Sequence, residues 1–279
     1  TVVLNHLEYD HADIYPDLAA IETQFHYLLR TVPGNGQVIY RDGLPALQRV
    51  LDRGCWSEAI PFAGKGRWTV ELEDPAGSAW RVYEDGQLQG RVAWSLYGGF
   101  NAENGLAAIL AARHAGVPVA ISCAALSQFA GVRRRLEERG KVAGIRVYDD
   151  FAHHPTAIAA TLQALRAREP QGRVLAVLEP RSNTMRLGVH RDELKASLDA
   201  ADAFFAYAPP DLSWDLAAAL GHPEHVFTDL DALVHAVVDV ARPGDHLLVM
   251  SNGAFGGVHE RLLRALEQKQ MGQGMSDGR

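Results

Sequence analysis

A chain of 279 residues that is 47% hydrophobic and 22% charged is long enough for about two domains and apolar enough to bury a sizeable core, which excludes a disordered polypeptide. A net charge of −7 and a pI near 5.9 argue against a sequence-independent nucleic-acid binder, although a local basic pocket for a phosphorylated ligand stays open. Two cysteines without C-x-x-C spacing, no run of the ~18 apolar residues that a membrane span needs and no signal-like opening segment point to a protein of the reducing cytoplasm with no membrane partner.

In chain order, residues 2–4 read as a buried strand, and because the chain opens inside it, more sequence is expected upstream. If strands that belong beside it are missing, it should leave an exposed apolar sheet edge. A polar loop at 5–13 leads into helical apolar spacing over 16–30 (Leu18, Ile21, Phe25, Leu28, Leu29), broken at Val32-Pro33-Gly34-Asn35-Gly36. A short strand at 38–40 and a short helix at 43–53 follow. Over 56–96, alternation around Trp68, Val70 and Leu72 and around Trp80, Val82 and Tyr83 predicts two or three antiparallel hairpins. Their turns are Asp74-Pro75-Ala76-Gly77 and Glu84-Asp85-Gly86. Helices are predicted at 101–115 and 119–129.

Beyond Gly131 the texture changes. Strands at 145–148, 174–178, 203–207, 225–227 and 246–250 alternate with helices at 155–168, 190–200, 213–220, 230–241 and 257–269. That alternation implies right-handed βαβ units and a parallel sheet covered on both faces, so the fold class is α/β. The domain boundary falls near Gly131 with a hinge over 131–144, and 272–279 read as a flexible tail.

Open α/β sheets bind ligands beyond the carboxyl ends of their strands. In the second domain those ends carry Asp149-Asp150-Phe151-Ala152-His153-His154-Pro155, Glu179-Pro180-Arg181-Ser182-Asn183-Thr184 and Ser251-Asn252-Gly253. The titratable cluster at 149–154 favours a functional role over simple capping, with Pro155 suited to the first helical position and His154 to the cap. The segments at 181–184 and 251–253 suit a carboxylate or amino-acid substrate, but ordinary loop chemistry also explains them. In the first domain, Asn5-His6-Leu7-Glu8-Tyr9-Asp10-His11-Ala12-Asp13 holds side chains capable of binding magnesium or manganese. A solvated loop in which Asp10 or Asp13 caps the next helix is an equal alternative. Asn101 is a natural helix cap; Asn104, one turn on, is not explained by capping, and its carboxamide matches the donor–acceptor edge of adenine. The run Arg133-Arg134-Arg135 could bind phosphate or be an exposed basic turn. No G-x-S-x-G and no G-x-G-x-x-G after a strand occur, which disfavours a hydrolase triad and a dinucleotide-dependent oxidoreductase.

Taken together, these strings resemble the Mur ligases, which add amino acids or peptides to UDP-N-acetylmuramate. The resemblance runs from Asn5 to about Leu266. It implies that His11, in a loop like the family's N…DH motif, is a catalytic group that binds Mg²⁺. It implies further that Asn101 and Asn104, followed by Gly105-Leu106-Ala107-Ala108, lie on the adenine side of ATP. Phe129…Gly131…Arg134-Arg135…Glu137 is similar to the linker motif, so Arg135 would be a catalytic contact to the ATP phosphates. Asp150 matches the ribose-binding aspartate.

Glu179-Pro180-Arg181-Ser182-Asn183-Thr184-Met185, Pro243-Gly244-Asp245-His246 and Met250-Ser251-Asn252-Gly253-Ala254-Phe255-Gly256-Gly257 are similar to the peptide-adding branch of the family. That branch joins the murein tripeptide L-alanyl-γ-D-glutamyl-meso-diaminopimelate to UDP-N-acetylmuramate in peptidoglycan recycling. The L-alanine-adding branch is the near alternative, and a non-catalytic nucleotide-binding fragment a further one. By this resemblance His153, Arg181, Ser182, Asn183 and Asn252 would line the peptide site. The carbamylated lysine of some members has no counterpart, since 14–40 contains no lysine. The family's P-loop and UDP-sugar domain are absent from these residues. The expected layout is therefore the C-terminal half of the central ATP-binding domain over 1–131, with an antiparallel β segment, and a Rossmann-like C-terminal domain over 132–271.

Overall fold

The structure, a computed structural model, describes residues 1–276. The chain divides into two compact units that meet at Gly131/Val132.

The first unit contains β1 (Val2–Leu4), α1 (Leu18–Arg30), β2 (Gln37–Arg41), α2 (Pro45–Asp52), β3 (Glu58–Phe62), β4 (Trp68–Leu72), β5 (Ala79–Glu84), β6 (Gln87–Ala93), α3 (Gly99–His114) and α4 (Val119–Leu126). Its six strands form one sheet in sequence order. β1, β2 and β3 run parallel, as short strands separated by helices must. β3 was expected in the antiparallel segment, but it pairs in parallel with both β2 and β4, and only β4–β5 and β5–β6 are hairpins. Its sequence, Glu58-Ala59-Ile60-Pro61-Phe62, signals a strand without signalling its partner. β1 lies at the end of the sheet, and its Val3 is 40% exposed.

Two apolar clusters hold this unit. One packs Phe62, Trp68, Trp80, Val82 and Val92 of the sheet against Leu106, Ile109 and Leu110 of α3. The other joins Leu4 and Val38 to Ile21 and Leu29 of α1 and Leu47 and Val50 of α2. Trp80 is fully buried, and its ring lies so near Gly105 that a Cβ there would sit 2.7 Å from it. The glycine in the middle of α3 is therefore required by close approach of an indole.

The second unit contains β7 (Glu137–Val142), β8 (Ile145–Asp150), α5 (Pro155–Arg168), β9 (Val174–Leu178), α6 (Asn183–Arg186), α7 (Arg191–Ser197), β10 (Ala203–Tyr207), α8 (Leu216–Leu220), β11 (Val226–Phe227), α9 (Leu230–Val240), β12 (His246–Met250) and α10 (Val258–Ser276). The sheet order is β11-β10-β9-β12-β8-β7, parallel throughout except for β7. β9 and β12 are buried at every position, as central parallel strands with helices on both faces must be. Much of the hinge expected over 131–144 is strand: β7 is an antiparallel edge strand with a bulge between Glu138 and Gly140. Its residues, Glu137-Glu138-Arg139-Gly140-Lys141-Val142, are the charged composition that protects a sheet edge, and that charge hides it from an apolar periodicity search. α10 takes in the first part of the stretch expected as a tail; residues 277–279 lie outside the described residues. Among the described residues no helix is long and apolar enough to cross a membrane.

Candidate functional site

In the first unit, the loop after β1 and the start of α3 come together. Asn5 donates its side-chain amide to Asn104 Oδ1, Asn104 Nδ2 donates to Asn101 Oδ1 at 3.4 Å, and Asn101 Nδ2 donates to Tyr97 O at 2.7 Å. The carboxamides thus form a relay that fixes their orientation, and each retains further donor and acceptor capacity. The cap of α3 is Gly98, at φ 90°, rather than Asn101, which is the third residue of the helix.

His11 is exposed in the same loop, with φ 54°. Its amide donates to Asp10 Oδ1 at 2.7 Å, and its carbonyl accepts from the amides of Ile14 and Tyr15 at 2.9 Å. Among the described residues no group of three or more His, Cys, Asp or Glu side chains is arranged to hold a metal ion. A divalent cation needs several hard ligands at short range, so these residues do not by themselves fit a magnesium site.

The second unit gathers more chemistry. β8, β12 and β9 end level with one another, because Asp150, Met250 and Leu178 are matched in register. Phe151, Ser251 and Glu179 therefore leave the sheet side by side. Glu179 is 4% exposed; its Oε2 accepts the Ser251 hydroxyl at 2.5 Å, and Arg181 lies 3.7 Å from its Oε1. The Ser251 oxygen in turn accepts the Gly253 amide at 2.9 Å. Arg181 lies against Gly253 so closely that a Cβ on the glycine would be 2.1 Å from Arg181 Cδ. Between Ser251 and Gly253, Asn252 Oδ1 is buried with no hydrogen-bond partner. A buried acceptor left unpaired costs free energy, and a donor on a bound ligand would relieve it.

Arg134 reaches the same turn from the other side of β8. Its guanidinium donates to Ser251 O at 2.5 Å and Gly253 O at 2.8 Å, and its Nε lies 3.4 Å from Asp149 Oδ1. His259 Nε2, from the start of α10, lies 3.3 Å from the same Asp149 oxygen, off hydrogen-bond alignment. Burial works against ionisation of Asp149, but His259 and Arg134 outweigh it and hold its carboxyl below the usual range.

Asp150, one residue on, is the opposite case. Burial pushes its carboxyl up, against the backbone amides of Ala152 and Leu136, each donating to it at 2.8 Å. The ribose-binding role expected for Asp150 therefore has to compete with bonds inside the chain, and the group is 3% exposed. Those bonds shape the turn before β7. Arg134 and Leu136 have left-handed backbones, φ 59° and 49°, which cost non-glycine residues about 1–2 kcal/mol each. Glu137 Oε2, which accepts the Arg134 amide at 2.8 Å, and the Asp150 carboxylate hold them there. Arg135 is exposed, its guanidinium 5.7 Å from the Phe151 ring centroid, with that of Arg134 at 5.0 Å.

The remaining expected residues sit around this edge. His153 pairs its Nδ1 with Phe151 O at 2.9 Å, and His154 caps α5 with Pro155 at the first helical position. Ser182 caps the short α6, accepting the Met185 amide at 3.3 Å, and the exposed Asn183 follows it. Arg134, Asp149 and Glu179 were read from sequence as members of motifs without roles of their own, and His259 was not singled out. Glu179 carried a signal, as the first polar residue after a wholly apolar strand. His259 carried none, lying about a hundred residues from the carboxylate it faces.

Residues 134–253 match the family described as "Mur ligase, glutamate ligase domain". The chain is 49% identical over 273 residues to the UDP-N-acetylmuramate--L-alanyl-gamma-D-glutamyl-meso-2,6-diaminoheptandioate ligase of Escherichia coli (strain K12), covering 96% of this chain and 60% of that protein. It is 33% identical to the UDP-N-acetylmuramate--L-alanine ligase of Acidothermus cellulolyticus, covering 92% of this chain and 57% of that one. Its fold is similar to a crystal structure of a murein peptide ligase from Psychrobacter arcticus 273-4, with a TM-score of 0.70, 38% identity, and coverage of 95% of this chain and 57% of that one. The chain thus spans about three-fifths of the length of the relatives it matches. The level strand ends with their Arg, Asp and Glu groups, the asparagine relay and this sequence likeness agree: the chain belongs to the Mur ligase family.

Proposed function

We propose that the chain is part of an ATP-dependent ligase that joins L-alanyl-γ-D-glutamyl-meso-diaminopimelate to UDP-N-acetylmuramate through an amide bond. The observation that carries this reading is the 49% identity, over 96% of the chain, to a relative named for that reaction, against 33% to an alanine-adding relative. ATP would phosphorylate the muramoyl carboxylate, and the peptide amine would attack the acyl phosphate. The tetrahedral intermediate would then collapse to the amide and phosphate. Such chemistry asks for positioning and charge neutralisation more than for covalent help from the protein.

Each unit is assigned its own part. In the first, Asn101 and Asn104 take the adenine side, with donors and acceptors already oriented by the relay. His11 is assigned no more than one ligand position toward Mg²⁺. In the second, the exposed Arg135 takes phosphate. Asp150 takes a ribose hydroxyl on the lone pairs that the Leu136 and Ala152 amides leave available. Arg181, Ser182, Asn183, His153 and Asn252 line the peptide side, where the unpaired Asn252 Oδ1 suits a peptide N–H or ammonium donor and Arg181 suits a peptide carboxylate.

The reading is tested by incubating the full-length protein with ATP, tripeptide and UDP-N-acetylmuramate carrying ¹⁸O in its carboxylate. Mass spectrometry should find the UDP-linked tripeptide and one ¹⁸O in the released phosphate. Product with no label in phosphate would reject the acyl-phosphate route, and no product would reject the reading.

A further inference from the structure

Arg134 has no role in the assignment above, yet its guanidinium donates to two backbone carbonyls at the strand ends and faces a buried carboxylate. It is the neighbour of the proposed phosphate-binding Arg135, but its guanidinium points elsewhere, to Ser251 O and Gly253 O. Those two carbonyls bracket Asn252, whose buried Oδ1 lacks a partner. On the opposite side of the same turn, the Arg181 stem fills the space a Gly253 side chain would need, and Ser251 is pinned to Glu179. A guanidinium suits this work because its Nη2 donates to both carbonyls while its Nε donates to Asp149, a planar spread of donors that an ammonium on a flexible stem does not reproduce. Arg134 is itself held by Asp149, and its left-handed backbone is fixed through Glu137.

We propose that Arg134 is a positioning residue: it clamps the Ser251–Gly253 turn and thereby sets the Asn252 carboxamide for the incoming peptide. This rests on the peptide-ligase reading for its kinetic consequence, though not for the clamp itself. Misplacing a substrate-positioning group by about 1 Å can cost on the order of 100-fold in rate or apparent affinity. In the full-length protein, R134A should therefore raise the KM for tripeptide by roughly 10- to 100-fold while the KM for ATP changes by less than about 2-fold. R134K, which keeps the charge but not the fork, should recover only part of the loss, and added ethylguanidinium should restore R134A further.

Because Arg134 acts through Asn252, R134A/N252A should be no worse than the poorer single variant. A rise in ATP KM equal to that for peptide, or additive effects in the double variant, would overturn the proposal. Hydrogen exchange supplies a readout that needs no turnover. R134A should lose amide protection over 251–257 while β9 and β12 keep theirs. If the unmodified protein turned over no peptide, the ligase reading would fall and the exchange measurement would still decide the clamp: unchanged protection over 251–257 in R134A would refute it.

Discussion

Asp149 offers the sharpest test of the electrostatic reading of the strand ends. Its side chain is 4% exposed and faces Arg134 Nε at 3.4 Å, His259 Nε2 at 3.3 Å and Arg139 at 3.7 Å. Removing one partner of a buried ion pair costs about 3–5 kcal/mol, because the other charge is left without compensation. Here the two arginine side chains are 30% and 34% exposed, so water can solvate part of what D149A strands. The contacts are also long, and a cost of about 2–3 kcal/mol follows. The pH dependence has a definite sign. A carboxyl whose folded pKa is depressed adds stability above its unfolded pKa, and that stability is lost as pH falls through the folded value. The gap between D149A and the unmodified protein should therefore be full at pH 7 and shrink once pH drops below about 4, the range where a free aspartate titrates. Urea unfolding of both proteins at a series of pH values measures it, with an unchanged m-value showing that the same surface is exposed. A gap of under ~0.5 kcal/mol at pH 7, the level of an ordinary surface substitution, or one constant down to pH 3, would refute the reasoning.

Two other substitutions probe separate links. G105A sets a helix-propensity gain of about 1 kcal/mol against overpacking of about 1–3 kcal/mol. The added Cβ would lie 2.7 Å from Trp80 and 3.0 Å from Trp94, and the fully buried Trp80 ring has nowhere to move, so a net loss of about 1–2 kcal/mol is expected. A G105A protein as stable as its parent in thermal unfolding would show that the indoles can repack. D150A removes the acceptor for the Leu136 and Ala152 amides and should cost about 2–3 kcal/mol, while raising the KM for ATP if the ribose assignment holds. A folded D150A with unchanged ATP KM would leave Asp150 as a purely structural anchor.

Much of this architecture was legible in the residues, and the exceptions have physical causes. Val174-Leu175-Ala176-Val177-Leu178 and His246-Leu247-Leu248-Val249-Met250 announce central parallel strands because burial on both faces removes any need for alternation. The edge strand β7 escaped notice because its charges serve to discourage further pairing. β3 was visible as a strand, but partner and direction are tertiary properties that Glu58–Phe62 does not encode locally. At the strand ends the polar residues stood out as a set. The arrangement that joins Asp149 to His259 and Arg134 to the Ser251 and Gly253 carbonyls spans more than a hundred residues of sequence, and only the folded sheet brings it into view. The asparagine relay is similar: Asn101 and Asn104 were visible as a pair, whereas Asn5 joins them through the placement of β1.

The most direct test of the central claim is phosphate release by the full-length protein with ATP and UDP-N-acetylmuramate, comparing tripeptide with L-alanine as the amine. Release with tripeptide at a kcat/KM far above that for L-alanine is the predicted result. Release with L-alanine alone would place the protein in the alanine-adding branch and contradict the peptide assignment of Arg181 and Asn252.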